Sequence, residues 1–100
     1  MVQARAVGVR SRLDAVVSLL VERFGARRVI LFGSLADGGW SEASDVDLAV
    51  EGLAGDWFEA WDAAEQALGP DWRLDLVPVE QARPALRQSI ARGEVLHGGG

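Results

Sequence analysis

The sequence predicts a mixed α/β (α+β) domain in which helices flank a small mixed three-stranded sheet. Two observations lead to this prediction: three short segments show the apolar or alternating pattern of strands, and stretches of helical periodicity flank them. The 100 residues suit one domain, and we expect residues 1–100 to form it, with an ordered core over about 10–95.

The first half of the chain is predicted to form a helix followed by two strands. The helix starts after Ser11, a candidate N-cap, and stops at Gly25. Residues 28–32 have the pattern of a buried strand, residues 34–44 are polar and glycine-bearing and indicate a loop, and residues 45–50 alternate as a second strand. Because the loop is too short for a full crossover helix, the two strands are expected to be antiparallel or closely packed. The apolar stripe of the helix consists of Leu13, Val16, Val17, Leu20 and Phe24.

The second half is predicted to form a helix, a strand and a last helix. Asp56 is a candidate N-cap for the first of these helices, which stops at Gly69. Residues 72–77 alternate and indicate the third strand, and the last helix runs from Glu80 to Gly93. The apolar stripes of the two helices consist of Trp57, Trp61, Ala64 and Leu68, and of Ala82, Leu86 and Ile90.

Composition excludes several classes of protein. The net charge is −5 and all ten basic residues are arginine, so sequence-independent binding along nucleic acid is not expected. The absence of cysteine excludes disulfides and thiolate metal sites. No apolar run approaches the roughly 18 residues of a membrane span, and residues 1–12 lack a signal-type apolar stretch. We therefore expect a cytoplasmic protein. The single histidine, His97, precedes a triple glycine and is expected to lie in a frayed, solvated tail.

The acidic residues of the predicted strands form the first candidate site. Asp45 and Asp47 share one face of the second strand, about 7 Å apart at the Cα atoms, and Asp75 lies on the polar face of the third. If these strands are neighbours with their apolar faces aligned, Asp75 joins the other two. Three carboxylates on one surface repel one another, and oxygen ligands suit Mg²⁺ or Mn²⁺. The alternative for an Asp-X-Asp pair is the solvated face of an edge strand, although aspartate is depleted in strands.

Gly33 and Ser34 form a second candidate feature at the end of the first strand. Glycine permits a sharp turn with close approach of the backbone to a ligand, and free N–H groups at the start of a helical turn favour phosphate. On their own, these two residues would be an ordinary turn that ends a strand.

The combined pattern resembles the DNA polymerase beta-like nucleotidyltransferase superfamily, over roughly residues 10 to 95. It consists of Leu31-Phe32-Gly33-Ser34, then Ser44-Asp45-Val46-Asp47-Leu48, then Leu74-Asp75-Leu76. The small size is similar to the minimal nucleotidyltransferases (MNT domains), the antitoxin-type partners of HEPN proteins. The resemblance implies the family's palm-like fold, with a small mixed sheet and flanking helices.

The resemblance also implies roles for the matching residues. Gly33 and Ser34 would hold the triphosphate, Asp45 and Asp47 would ligate two Mg²⁺ ions, and Asp75 would complete the metal that activates the attacking hydroxyl. ATP would be the donor, and AMP would be transferred with release of pyrophosphate. The acceptor would be a hydroxyl on a HEPN toxin of a toxin–antitoxin system.

One position departs from the family pattern. Many minimal members read Gly-Ser-X-Ala-Arg-Gly, whereas this chain reads Gly33-Ser34-Leu35-Ala36-Asp37-Gly38. Asp37 either weakens triphosphate binding by repulsion or points outward without effect. Asp37 and the small size leave open a catalytically weak or inactive module that neutralises its partner by contact. A separate alternative is a transferase that acts on a small molecule with an additional subunit.

Other residues receive structural interpretations. Trp57 and Trp61 fit a core stripe, and Trp40 is either a packing residue of the loop or a residue that stacks on a base or contacts a partner. Arg73 shares a face with Asp75, where it either neutralises phosphate or pairs with a carboxylate. The arginines of the last helix are expected to form a solvated face; they are Arg83, Arg87 and Arg92.

Overall fold

The computed structural model describes residues 4–33, 45–70 and 72–98. These residues form three α-helices, a short 3-10 turn and four strands. In chain order the elements are α1 (Ala4–Phe24), β1 (Arg28–Phe32), β2 (Asp45–Glu51), α2 (Trp57–Leu68), β3 (Arg73–Pro78), the 3-10 turn (Val79–Gln81), α3 (Pro84–Ala91) and β4 (Glu94–His97).

The described strands form one mixed sheet in the order β3-β2-β1-β4. β1 pairs antiparallel with both β2 and β4, whereas β2 and β3 are parallel and are joined through α2. The antiparallel partnership of β1 and β2 is one of the two arrangements that the short loop allowed. The parallel partnership of β2 and β3 sets acidic residues of the two strands side by side.

Local sequence explains where the helices begin and end. Asp56 caps α2, since its carboxylate accepts a 2.9 Å hydrogen bond from the backbone N–H of Glu59. Pro84 occupies the start of α3, where its missing N–H would have no partner within the helix. Proline therefore separates the 3-10 turn from α3, so that the single helix predicted from Glu80 to Gly93 is two shorter elements.

Two apolar layers lie on the opposite faces of the sheet. The larger one is covered by α1 and α2, and its strand residues are buried throughout. They are Val29, Leu31, Val46, Leu48, Val50, Leu74 and Leu76. The smaller layer lies under α3 and contains Ile30, Phe32, Ala49 and Ile90. Because side chains alternate along a strand, the smaller layer shares its face with Asp45 and Asp47.

Two sequence predictions were wrong at the ends of the described chain. The predicted three-stranded sheet has a fourth strand, β4, and His97 lies in this strand opposite Val29 rather than in a frayed tail. Four residues are too few to show a periodicity, and β4 forms because the open edge of β1 offers backbone partners. Helix α1 starts at Ala4 rather than after Ser11, since the preceding residues hold no proline to stop it.

The edges of the sheet are tied to the helices by side-chain contacts. The guanidinium of Arg10 in α1 donates two hydrogen bonds, of 2.6 and 2.8 Å, to the carboxylate of Glu94 in β4. At the other edge, the indole Nε1 of Trp61 in α2 donates a 3.1 Å hydrogen bond to the carbonyl oxygen of Leu74 in β3. Among the described residues, no helix is long and apolar enough to cross a membrane.

Candidate functional site

Strand β2 presents two carboxylates on the face that α3 only partly covers. Val46, Leu48 and Val50 point into the larger apolar layer and are fully buried, which fixes the orientation of the strand. Asp45 and Asp47 therefore point to the opposite face, where Asp45 is exposed and Asp47 is half-buried.

Strand β3 adds the third carboxylate. Asp75 is the register partner of Asp47, and Arg73 is the partner of Asp45. Register partners on adjacent strands lie about 4.8 Å apart and point to the same face. The structure thus brings Asp45, Asp47 and Asp75 together on one surface, as the alternation of the two strands led us to expect.

The electrostatics of Asp47 reflect this crowding. Burial raises the pKa of its carboxyl group above the usual value, and the charges of Asp75 and then Asp45 raise it further. Ionisation of Asp47 is consequently less favourable in the folded protein than in an unfolded chain. A divalent cation beside it would reverse both effects, because it neutralises the repulsion and replaces lost hydration with direct ligation.

Among the ion pairs of the described residues, one includes a carboxylate of this surface, and its basic partner is Arg73. Its Nε lies 3.9 Å from Oδ1 of Asp45, and both side chains are largely exposed. Of the two interpretations of Arg73, the described contact is the carboxylate pair. An exposed pair at this distance contributes roughly 0–1 kcal/mol, so Arg73 holds Asp45 only loosely.

Gly33 completes the described part of the surface. It follows Phe32, the register partner of Asp47, and its φ of +80° is rare for residues with a side chain. A Cβ atom at this position would overlap Oδ2 of Asp47 and lie 3.2 Å from its Cγ. Glycine is therefore required here for two reasons: the backbone conformation and the space that the Asp47 carboxylate occupies. The sequence predicted the turn at Gly33, whereas its contact with Asp47 depends on the β1–β2 register and was missed.

Other predicted site residues lie outside the described part of the chain. These residues are Ser34, Asp37 and Trp40, which all belong to residues 34–44.

The donor set suits a hard divalent cation. All three carboxylates supply oxygen, the ligand type that Mg²⁺ prefers. Among residues 4–33, 45–70 and 72–98, no group of three acidic or histidine side chains is already arranged to enclose an ion. Ligation by all three would thus require side-chain rotation, for which Asp45 and Asp75 are exposed enough.

Comparisons with known proteins agree with the fold described above. The family model described as polymerase beta nucleotidyltransferase matches residues 15–98. A solved structure assigned to a minimal nucleotidyltransferase is 34% identical, with 96% of this chain and 98% of that chain covered and a TM-score of 0.70.

Solved toxin–antitoxin structures are also similar. One determined with AMP-PNP is 28% identical, with 85% of this chain and 73% of that chain covered and a TM-score of 0.67. An MntA–HepT structure is 26% identical, with 89% of this chain and 72% of that chain covered and a TM-score of 0.64. Among curated proteins, none matches the chain.

Proposed function

The chain belongs to the polymerase beta nucleotidyltransferase family as a minimal nucleotidyltransferase domain, and from this premise we propose that it transfers AMP from ATP to a protein hydroxyl. The acceptor would be a HEPN-domain toxin that the chain, as antitoxin, modifies in the cytoplasm. The observation that supports this proposal most directly is the register of β2 and β3, which places Asp75 beside Asp47 and on the same face as Asp45.

The proposal assigns a role to each residue of the surface. Asp45, Asp47 and Asp75 would hold two Mg²⁺ ions, and Mn²⁺ could replace them. Bound ions of this kind neutralise the charge that develops on the attacking and leaving oxygens of a phosphoryl displacement. The turn at Gly33 and Ser34 would bind the triphosphate through backbone N–H groups, for which the positive φ of Gly33 is suited.

The reaction is a single displacement at the α-phosphorus of ATP. The acceptor oxygen forms a bond to this phosphorus while the bond to the bridging oxygen of the β-phosphate breaks, and pyrophosphate leaves. Asp75 is exposed and would lie on the acceptor side, so the hydroxyl proton can pass through its carboxylate to water. Asp47, half-buried next to Gly33, would lie deeper, on the triphosphate side.

Two kinds of relatives support the choice of donor and acceptor. A toxin–antitoxin relative was solved with AMP-PNP, an analogue of ATP, which favours ATP as the donor here. An MntA–HepT relative is a toxin–antitoxin assembly, which favours a toxin as the partner.

The test is transfer of label from ATP to the partner. The purified chain is incubated with Mg²⁺, ATP labelled at the α-phosphate and a HEPN-domain protein encoded beside it, and labelled partner is the expected result. ATP labelled at the γ-phosphate is the matched control and should leave the partner unlabelled. The double variant Asp45→Asn with Asp47→Asn should show no transfer. Absence of label with a folded wild-type chain and a folded partner would contradict the proposal.

A second candidate is a module that neutralises its partner by contact alone. Asp37, an acid where many minimal members have arginine, favours it because a negative charge so close in sequence to Gly33 and Ser34 would oppose triphosphate binding. This candidate predicts that the same double variant still protects cells that express the toxin. Loss of protection in the folded double variant would exclude it and leave the enzymatic proposal.

A further inference from the structure

A groove between α2 and the outer edge of β3 has the features of a protein-docking site. It has a volume of about 460 Å³ and is lined by Trp57, Phe58, Trp61, Leu76, Pro78 and Gln81. Phe58 is 76% exposed, although the neighbouring tryptophans are half-buried against the core. A large aromatic side chain left in water at the rim of an apolar groove is typical of a surface that another molecule covers.

β3, the terminal strand of the described sheet, forms one wall of this groove. The indole of Trp61 donates a hydrogen bond to the carbonyl oxygen of Leu74. Leu74 and Leu76 are only 3% and 2% exposed, and Pro78 has no N–H. A bound segment would therefore pack against the apolar side chains of the groove rather than extend the sheet.

The charge of α2 indicates what kind of segment would bind. Asp56 and three acidic residues within the helix, Glu59, Asp62 and Glu65, are all exposed, and α2 contains no basic residue. The ion pairs among the described residues are Arg10–Glu94, Arg28–Glu51 and Arg73–Asp45, so none includes these four acids.

The acids are also placed along the groove. Asp62 lies one helical turn beyond Phe58, and Glu65 one turn beyond Trp61. Both acids line an adjoining depression with Gly69, Pro70 and Trp72, so the acidic part continues the apolar part along the same edge of the sheet.

We propose that this groove binds an extended, cationic segment of a partner protein, with one apolar anchor residue beside Phe58 and arginine or lysine residues facing Asp62 and Glu65. From Phe58 to Glu65 the helix rises about 10 Å, which matches about three residues of extended chain. The anchor and the basic residues should accordingly be about three positions apart. The groove lies on the α2 side of the sheet, whereas the three aspartates lie on the opposite face, so docking does not depend on nucleotidyl transfer.

The probe is a pair of blocked nine-residue peptides in a threonine background. One carries a leucine and, three and four positions later, two arginines; its control carries two glutamates in their place. Binding is followed by the indole N–H signals of the ¹⁵N-labelled chain, assigned by single Trp→Phe variants. The cationic peptide should shift the signals of Trp57 and Trp61, and the acidic peptide should not.

Matched variants locate the binding. Phe58→Ser should weaken binding of the cationic peptide about tenfold or more, as expected for a central aromatic anchor. Val95→Ser is the control, because Val95 is the other exposed large apolar residue among those described and lies on β4 at the opposite edge. The pair Asp62→Asn with Glu65→Gln should weaken binding and remove its salt dependence. Because these side chains are exposed, thermal unfolding should remain unchanged in all three variants.

Several results would overturn the proposal. Equal binding of both peptides, binding by neither, or unchanged binding in Phe58→Ser would each show that the groove does not select such a segment. Concentration-dependent dimerisation that Phe58→Ser abolishes would assign the groove to a second copy of this chain instead.

Discussion

Replacing Gly33 by alanine should weaken the proposed nucleotide binding at a moderate cost in stability. With φ at +80°, a residue with a side chain loses about 1–2 kcal/mol in the left-handed region. The added Cβ would also overlap Oδ2 of Asp47, and a side chain pushed off its rotamer costs about 0.5–1.5 kcal/mol. The two effects together predict destabilisation by about 1.5–3.5 kcal/mol. The displaced carboxylate should weaken binding of ATP with Mg²⁺ by about tenfold or more, since a loss of 1.4 kcal/mol corresponds to that factor.

Gly25→Ala is the matched control for this prediction. Gly25 also has a positive φ, of +68°, but a Cβ there would lie at an ordinary 3.5 Å from the Cβ of Ala54. This variant should lose about 1–2 kcal/mol of stability through its backbone alone and keep the affinity for ATP with Mg²⁺. Urea unfolding gives the stabilities, and calorimetric titration at a temperature where both variants are folded gives the affinities. Wild-type affinity in folded Gly33→Ala would refute the reasoning.

Three further predictions concern the stability of the fold. Burial and neighbouring carboxylates raise the pKa of Asp47, so folding favours its protonated form. The free energy of unfolding therefore falls as pH rises from the ordinary pKa of 3.8 through the raised pKa of the folded protein. Asp47→Asn should therefore raise the urea midpoint at pH 7 and change it little near about pH 3, where the carboxyl is neutral in both states; an unchanged midpoint at pH 7 would argue against this. Leu48→Ala empties a fully buried position and should cost about 2–5 kcal/mol in urea unfolding. Trp61→Phe removes the hydrogen bond to Leu74 and should cost about 1 kcal/mol, measured in the same way; a neutral result would mean that water replaces the indole at that carbonyl.

The sequence was sufficient for the elements that carry strong local signals. Strands β1, β2 and β3 alternate or are continuously apolar over five to seven residues, and α2 has both a capping aspartate and a glycine stop. Because the period of a strand is two residues, the apolar positions of β2 and β3 also predicted which face carries Asp45, Asp47 and Asp75. The shared face of the three carboxylates could thus be predicted on the condition that β2 and β3 are neighbours.

The remaining features depend on pairing between distant segments, which local patterns do not encode. β4 has four residues and one half-buried side chain, Leu96, so it becomes a strand only through the edge of β1. The closeness of Gly33 to Asp47 follows from the register of β1 on β2, which residue spacing alone does not determine. The groove beside Phe58 could not be predicted either, because it forms only where α2 meets β3. A tryptophan stripe on a helix is ordinarily part of a core.

The parallel partnership of β2 and β3 determines when, during folding, the complete acidic surface can form. Asp47 and Asp75 meet only after the chain has passed through α2 and laid β3 beside β2, so no local segment carries the complete acidic surface. An intermediate that has formed only the β1–β2 hairpin holds two of the three carboxylates. The metal binding proposed for these carboxylates should therefore appear together with cooperative folding, as a late and all-or-none property of the chain.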